Sequence, residues 1–226
     1  MSPESVWDAA RRARIGLAEA ILCEGKTPAQ IAAICAVATK DDRHPLLLTR
    51  LESTVFAALP PEVRREADYD ALSRTALLGR LPAPTEAARI AVVTAGTSDV
   101  GVAREAVRTL AAYGEAATEW ADIGVAGLWR LLERLEELKR FAVVIVVAGM
   151  DGALFSVIGG LLPGAIIAVP TSTGYGVSAK GETALHAALS SCAPGILVTN
   201  IDNGYGAACA ALRILRAARQ TPPAVA

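Results

Sequence analysis

From Phe141 to Leu212 the chain runs for 72 residues with four charged side chains, Asp151, Lys180, Glu182 and Asp202. About 18 would be usual, at an average charged fraction of ~25%. A stretch this apolar has to hide most of its surface. It is too interrupted for a membrane span, which needs about 20 continuous apolar residues. Gly149, Gly152, Gly159-Gly160 and Pro163-Gly164 break it up. The runs between, FAVVIVVAG and GAIIAVP, are β-branched, of strand length, and closed by glycine or proline. Such runs suit parallel strands covered on both faces.

The flanking pattern extends this reading. Strands are predicted at Arg89–Val93, Glu115–Glu119, Ala142–Val147, Ala165–Val169 and Ile196–Asn200. Helices are predicted at Val100–Tyr113, Val125–Arg140, Leu154–Leu162, Glu182–Ser191 and Ala207–Arg219. Strand and helix alternate five times, which predicts a flavodoxin-like three-layer α/β domain with right-handed crossovers. Its helices carry so few charges that they are expected to pack against other subunits.

Ahead of it, GRLPAPTEAAR has two prolines and no apolar period, so residues 81–88 read as a linker between residues 1–80 and 89–226. The first part reads as a small α/β unit. An apolar run ending at Cys23 is followed by Thr27-Pro28, a helix N-cap with proline at the first helical position. HPLLLTRL is a second strand and Glu52–Glu66 a second helix.

The totals exclude several classes. Net charge is -1, so nothing favours nucleic acid or a membrane surface as partner. The cysteines Cys23, Cys35, Cys192 and Cys209 form no CxxC pair, and with two histidines, His44 and His186, a structural zinc site is not expected. The opening MSPESVWDAARRARIG lacks an apolar core, so no signal peptide is expected and the compartment is read as cytoplasmic, with free thiols.

In open parallel sheets, ligands sit beyond the carboxyl ends of the strands. The loops there are TAGTSD, AGMDGA, PTSTGYG and NIDNGYG. They hold glycines that let backbone approach a ligand, and hydroxyls and N–H groups at helix starts that bind anions. Strand-to-helix turns also favour these residues for purely structural reasons. Four such loops on one edge favour a phosphorylated ligand. Cys192, between a helix and a Pro-Gly turn, is either a small buried side chain or a nucleophile. At a helix C-terminus the dipole disfavours its thiolate, and Lys180, the only base within this segment, could offset this if the fold brings it near.

Long motifs run in order along the chain: RIGLAEAILCEGKTPAQ, VVTAGTSDVGVAREA, ADIGVAGLWRLL, VVAGMDGAL, VIGGL, IIAVPTSTGYG and SSCAPGILVTNIDNGYGA. From Arg11 to Ala218 they resemble the pyridinium-3,5-biscarboxylic acid mononucleotide synthase family of nickel-pincer cofactor biosynthesis. The C-terminal domain of that family is similar to aminoimidazole ribonucleotide (AIR) carboxylase. The resemblance implies a carboxylase/hydrolase that adds carbon dioxide to the pyridinium ring of nicotinic acid adenine dinucleotide and releases AMP. It implies Cys192 as covalent catalyst and Asp151 at the acidic active-site position. It implies substrate contacts from Gly96, Thr97, Ser98, Asp99, Gly149, Met150, Thr171, Ser172, Tyr175, Gly176, Lys180, Asn200, Asp202 and Asn203, and from Glu24 and Lys26. Magnesium, with Asp202 as a ligand, and assembly into a homo-octamer are also implied. Ser98 and Asp99 read equally as helix caps, and the Glu24–Lys26 turn as a solvated one. The chain departs from the family's pattern at Leu17-Ala18, where Phe-Pro is usual, near Gly101, where Pro is, at Trp129 for His, at Asp151 for Glu and at Phe155 for Pro. A purine-pathway AIR carboxylase or mutase, and a non-catalytic nucleotide-binding protein, are the alternatives.

Overall fold

A computed structural model of the chain describes residues 5–39 and 44–219. The first residues of the opening segment and the end of the C-terminal domain, 220–226, lie outside the described residues. The chain divides into two compact units, residues 1–84 with 111–115, and residues 85–110 with 116–226.

In the first unit the elements are α1 (Arg11–Ile15), β1 (Ile21–Leu22), α2 (Pro28–Ala38), β2 (Leu46–Thr49), α3 (Ser53–Ala57), α4 (Pro61–Glu66), β3 (Ala67–Asp70) and β4 (Thr75–Leu78). They form a mixed sheet in the order β1-β2-β4-β3. Thr27 caps α2 as the sequence indicates: its hydroxyl accepts from the Gln30 N–H at 3.3 Å, and the Gln30 side chain accepts from the Thr27 N–H at 3.0 Å. One expectation needs correction, and two elements are added. The predicted Glu52–Glu66 helix is two helices, parted at Leu59-Pro60, because proline disfavours α backbone at the residue before it. The β3–β4 hairpin was not foreseen, since ADYD and TALL are too short to show a period. Helix α1 was missed for the same reason.

The second unit holds β5 (Ile90–Thr94), α5 (Val100–Ala112), β6 (Ala117–Trp120), α6 (Leu128–Leu138), β7 (Val143–Ala148), α7 (Ala153–Leu161), β8 (Ala165–Pro170), α8 (Glu182–Leu189), β9 (Leu197–Val198) and α9 (Gly204–Arg219). All five strands are parallel, ordered β6-β5-β7-β8-β9. This is the flavodoxin-like order, whose direction of winding reverses between the first and third strands of the sheet, here β5 and β7. Strand β7 is buried along its whole length, as its unbroken β-branched sequence requires. Burying a Val or Ile side chain stabilises the fold by about 1.5–3 kcal/mol relative to leaving it in water. Leu131, Leu138, Leu154, Phe155 and Ile158 supply the helical layer of one core cluster.

Strand positions differ from the sequence expectation by at most two residues at either end. Only Leu197 and Val198 of the predicted Ile196–Asn200 pair with β8. The helix predicted from Val125 opens with a single 3-10 turn, Val125–Gly127. Helix α8 ends at Leu189, so Cys192 lies past the helix on the connection to β9. Among the described residues no helix is long and apolar enough to cross a membrane.

Candidate functional site

In sheets of this order, ligands bind in a crevice beyond the carboxyl ends of the strands where the winding reverses, here β5 and β7. The strands run straight into it. Ala95 donates its N–H to Val147 O at 2.9 Å, and Thr171 donates to Ala148 O at 3.0 Å. Gly96 and Gly149 therefore stand side by side at the mouth. Gly149 has no room for a side chain: a Cβ there would lie 2.2 Å from the Thr173 carbonyl oxygen and 2.7 Å from Thr171 Oγ1. Met150 then donates its N–H to that same Thr173 carbonyl at 2.9 Å, which clamps the β7 loop to the β8 loop.

Asp99 is the central knot. It ends the short 3-10 turn Thr97–Asp99 and is 3% exposed. Its Oδ2 accepts the Gly96 N–H at 3.0 Å, and its Oδ1 accepts the Thr171 hydroxyl at 2.7 Å. Burial raises its pKa above the ordinary value of 3.8, the negative charge of Asp202 raises it further, and the bonds from Thr171, Gly96 and Thr173 oppose the rise. Asp202 has left-handed backbone, φ 55°, and its Oδ1 accepts the Ser172 N–H at 2.8 Å. Its own N–H returns to Pro170 O at 2.9 Å. The loops after β5, β7, β8 and β9 are thus joined by named hydrogen bonds.

The residues singled out from the sequence divide into three groups. Gly96, Asp99, Gly149, Met150, Thr171, Ser172 and Asp202 belong to this network. Asp99, however, turns inward and uses both carboxylate oxygens on the loops themselves. Thr97, Ser98, Asp151, Tyr175, Gly176, Lys180 and Asn200 are exposed around it, and Asn203 is half-buried. Tyr175 is 78% exposed, which leaves its ring face open to solvent. Asp151 Oδ1 accepts the Ala153 N–H at 3.3 Å at the start of α7. Asn203 Oδ1 accepts the Gly206 N–H at 2.8 Å and caps α9. Glu24 and Lys26 lie in the first unit.

Cys192 is exposed and outside the knot. Its neighbour Ser191 shares a 2.7 Å hydroxyl–hydroxyl bond with Ser156 in the first turns of α7, the helix that follows Asp151. Ala193 and Ile196 crowd Gly159 of the same helix, where a Cβ would meet each at 2.9 Å. Of the departures, Phe155 is fully buried and Trp129 is 63% exposed.

One part of the edge was not anticipated. After β6, Asp122 donates its N–H to Thr94 Oγ1 at 3.1 Å, and its carboxylate pairs with Arg130 of α6. Gly124 lies so close to β5 that a Cβ would be 2.5 Å from Ala95 O. The signal was available: an acidic residue and a glycine directly after a strand, followed by an arginine two helical turns on.

Among the described residues no three His, Cys, Asp or Glu side chains cluster as a metal site. Magnesium typically rests on one or two carboxylates plus substrate phosphates. Asp202, partly exposed and with Oδ1 on the Ser172 N–H, is a carboxylate of the kind that modest requirement asks for.

The profile of the AIR carboxylase family matches residues 89–222, and that of LarB/PurE-like N-terminal domains matches residues 4–80. The second unit is thus an AIR carboxylase-type α/β domain. With the LarB/PurE-like domain ahead of it, the chain belongs to the LarB family, the one its motifs resemble. An uncharacterized protein of Methanocaldococcus jannaschii is 47% identical over 121 residues, which are 53% of this chain and 46% of that protein. The chain thus matches about half the length of this curated relative. A crystal structure of a Treponema denticola PurE2 variant is similar at 22% identity and a TM-score of 0.48, over 57% of this chain and 79% of that one.

Proposed function

We propose that this protein carboxylates the pyridinium ring of nicotinic acid adenine dinucleotide and hydrolyses its phosphoanhydride, through a covalent adduct on Cys192. The observation that carries the reading is the placement of an exposed thiol on a segment tied to the helix that Asp151 opens.

A pyridinium ring is electron-poor and does not attack carbon dioxide. The Cys192 thiolate adds at ring carbon 4, and the electron pair moves to the ring nitrogen. The resulting dihydropyridine is electron-rich at carbon 5, which attacks carbon dioxide and forms the new carbon–carbon bond. Asp151 takes the proton from carbon 5. The nitrogen lone pair then expels sulfur as thiolate, and the ring is aromatic again. The net change is one carbon dioxide gained and one proton lost, with no oxidant. Sulfur suits both ends of this sequence, because it is a strong nucleophile and a good leaving group.

Thr97 and Ser98, exposed at the helical start after β5, would receive phosphate oxygens in this reading. Gly149 permits close backbone approach, and the open face of Tyr175 offers stacking for a ring. Lys180, exposed with left-handed backbone, supplies positive charge. Magnesium held by Asp202 would neutralise phosphoanhydride charge for hydrolysis. The exposed Leu128, Trp129 and Leu132 of α6 support homo-oligomer formation, an octamer by family likeness. A cytoplasmic location belongs to the same reading.

The test is mass spectrometry of the protein mixed with nicotinic acid adenine dinucleotide, magnesium and labelled bicarbonate. A labelled dicarboxylated mononucleotide plus AMP, absent in Cys192→Ala, is expected. Carboxylation of aminoimidazole ribonucleotide, with the dinucleotide untouched, would move the protein to the purine reaction. Turnover of neither would leave a nucleotide-binding protein.

A further inference from the structure

Away from these loops, the first unit gathers charges in a way its own stability does not call for. The β2–β4 register pairs Leu48 with Ala76. Continued by two residues, it sets Arg50 opposite Arg74. Both arginines also have left-handed backbone, φ 51° and φ 52°. That conformation costs a side-chain-bearing residue about 1–2 kcal/mol. Where two strained, charged residues stand at one end of a sheet, function is the first explanation to test.

The same place is concave. Cys23, Glu24, Gly25, Lys26, Arg50, Glu52, Val55 and Arg74 line a cavity of about 170 Å³. Three cations face two carboxylates there. Glu24 sits 3.4 Å from Arg50 and Glu52 sits 2.8 Å from Arg74, and both carboxylates are more than half exposed. Exposed pairs of this kind are worth about 0–1 kcal/mol, so a doubly charged anion can displace them. Lys26 Nζ donates to the Leu22 carbonyl at 2.6 Å, which holds the ammonium over the end of β1. Backbone bonds from Cys23 to Thr49 O, 2.9 Å, and from Leu51 to Arg74 O, 2.8 Å, fix the rim. The volume is below the ~300–1,000 Å³ typical of pockets for drug-sized ligands. It suits one phosphate group, not a nucleoside.

We infer that Arg50, Arg74 and Lys26 form an anion site for a phosphate group in the N-terminal unit, with Glu24 and Glu52 as displaceable competitors. The planar guanidinium fork matches phosphate oxygens two at a time, which makes arginine the suitable residue. The phosphate is either free inorganic phosphate or part of a larger phosphorylated ligand. The inference does not rest on the carboxylation reading.

Calorimetric titration of the full chain with inorganic phosphate at low salt tests it. Binding is expected in the wild type. It should weaken by about tenfold or more in Arg50→Gln and in Arg74→Gln, the loss expected when a charge-assisted bond is removed. Glu24→Gln removes a competitor without removing a donor, so phosphate should bind several-fold more tightly. Circular dichroism of each variant confirms the fold. No binding at millimolar phosphate, binding unchanged in the arginine variants, or weaker binding in Glu24→Gln would each overturn the site. Repeating the titration with nicotinic acid adenine dinucleotide separates the sources. A parallel loss in the arginine variants means that the phosphate is the dinucleotide's own, and an unchanged isotherm means a free anion. Product formation is not measured here, so failure of this site and failure of the Cys192 chemistry are distinguishable.

Discussion

The Thr171 hydroxyl donates to Asp99 Oδ1 at 2.7 Å, across 72 positions of sequence. One bond thereby fastens the loop after β8 to the loop after β5, and Gly149 packs directly against the same threonine's side chain. Thr171→Val keeps the shape and removes the donor. The Asp99 carboxylate, still buried, loses one of its bonds. A destabilisation of about 1–3 kcal/mol is expected, read from the denaturant midpoint.

Asp99 also sets a pH dependence opposite to that of a paired surface carboxylate. Its pKa is raised on folding, chiefly by burial, so the native state holds its proton more tightly than the unfolded chain does. The favourable contribution is complete below the ordinary value of 3.8 and disappears as pH rises through the folded value. In Asp99→Asn this titration is gone. The stability of the wild type relative to the variant should therefore fall as pH climbs from 3.8 through the raised pKa, and denaturant melts at a series of pH values measure it. A difference that rises with pH would contradict the burial-dominated account.

The four cysteines should differ sharply in reactivity. Burial pushes the Cys23 thiol up to about 12 and the Cys35 thiol up to about 11. Only Cys192 is exposed. Brief alkylation of the native protein at neutral pH should add one label, at Cys192, with Cys23 and Cys35 reacting only after denaturation. Intact mass and peptide mapping check both parts.

Gly149 marks the closest approach of two loops. Gly149→Ala places a methyl group 2.2 Å from a backbone oxygen, which cannot swing aside as a side-chain tip could. The β8 loop must shift, at a cost of about 1–3 kcal/mol. Product formation should fall more than the stability loss explains, because the shift moves Thr171 and Ser172 as well.

The second unit was legible because its strands are long, β-branched and buried on both faces, and its helices are amphipathic. VVIVVA can hardly be anything but a central parallel strand. The first unit was less legible. Its sheet depends on β1, two residues long, and on a hairpin of four-residue strands, and such elements exist only through partners distant in sequence. In the candidate site, loop composition pointed to the edge of the sheet where the loops after β5, β7, β8 and β9 are joined by hydrogen bonds. It did not reveal which way Asp99 faces, since an aspartate after a strand reads the same whether it caps, binds or lies buried. The Asp122–Arg130 pair left a local signal, an acid and a glycine directly after a strand, but its contact with Thr94 is made across strands and leaves none.

The sheet ends on β9, which is in register with β8 through Leu197 and Val198, with one further backbone bond from the Thr199 N–H to Ala168 O at 3.0 Å. An open sheet edge is a template on which a foreign strand can lengthen the sheet, and proteins commonly guard it with lysines or prolines in the edge strand. The two residues of β9 carry no such guard. Its brevity does the guarding: a strand of two residues offers an invader too few hydrogen bonds to hold. On that side the domain is protected from strand-to-strand aggregation by geometry rather than by charge.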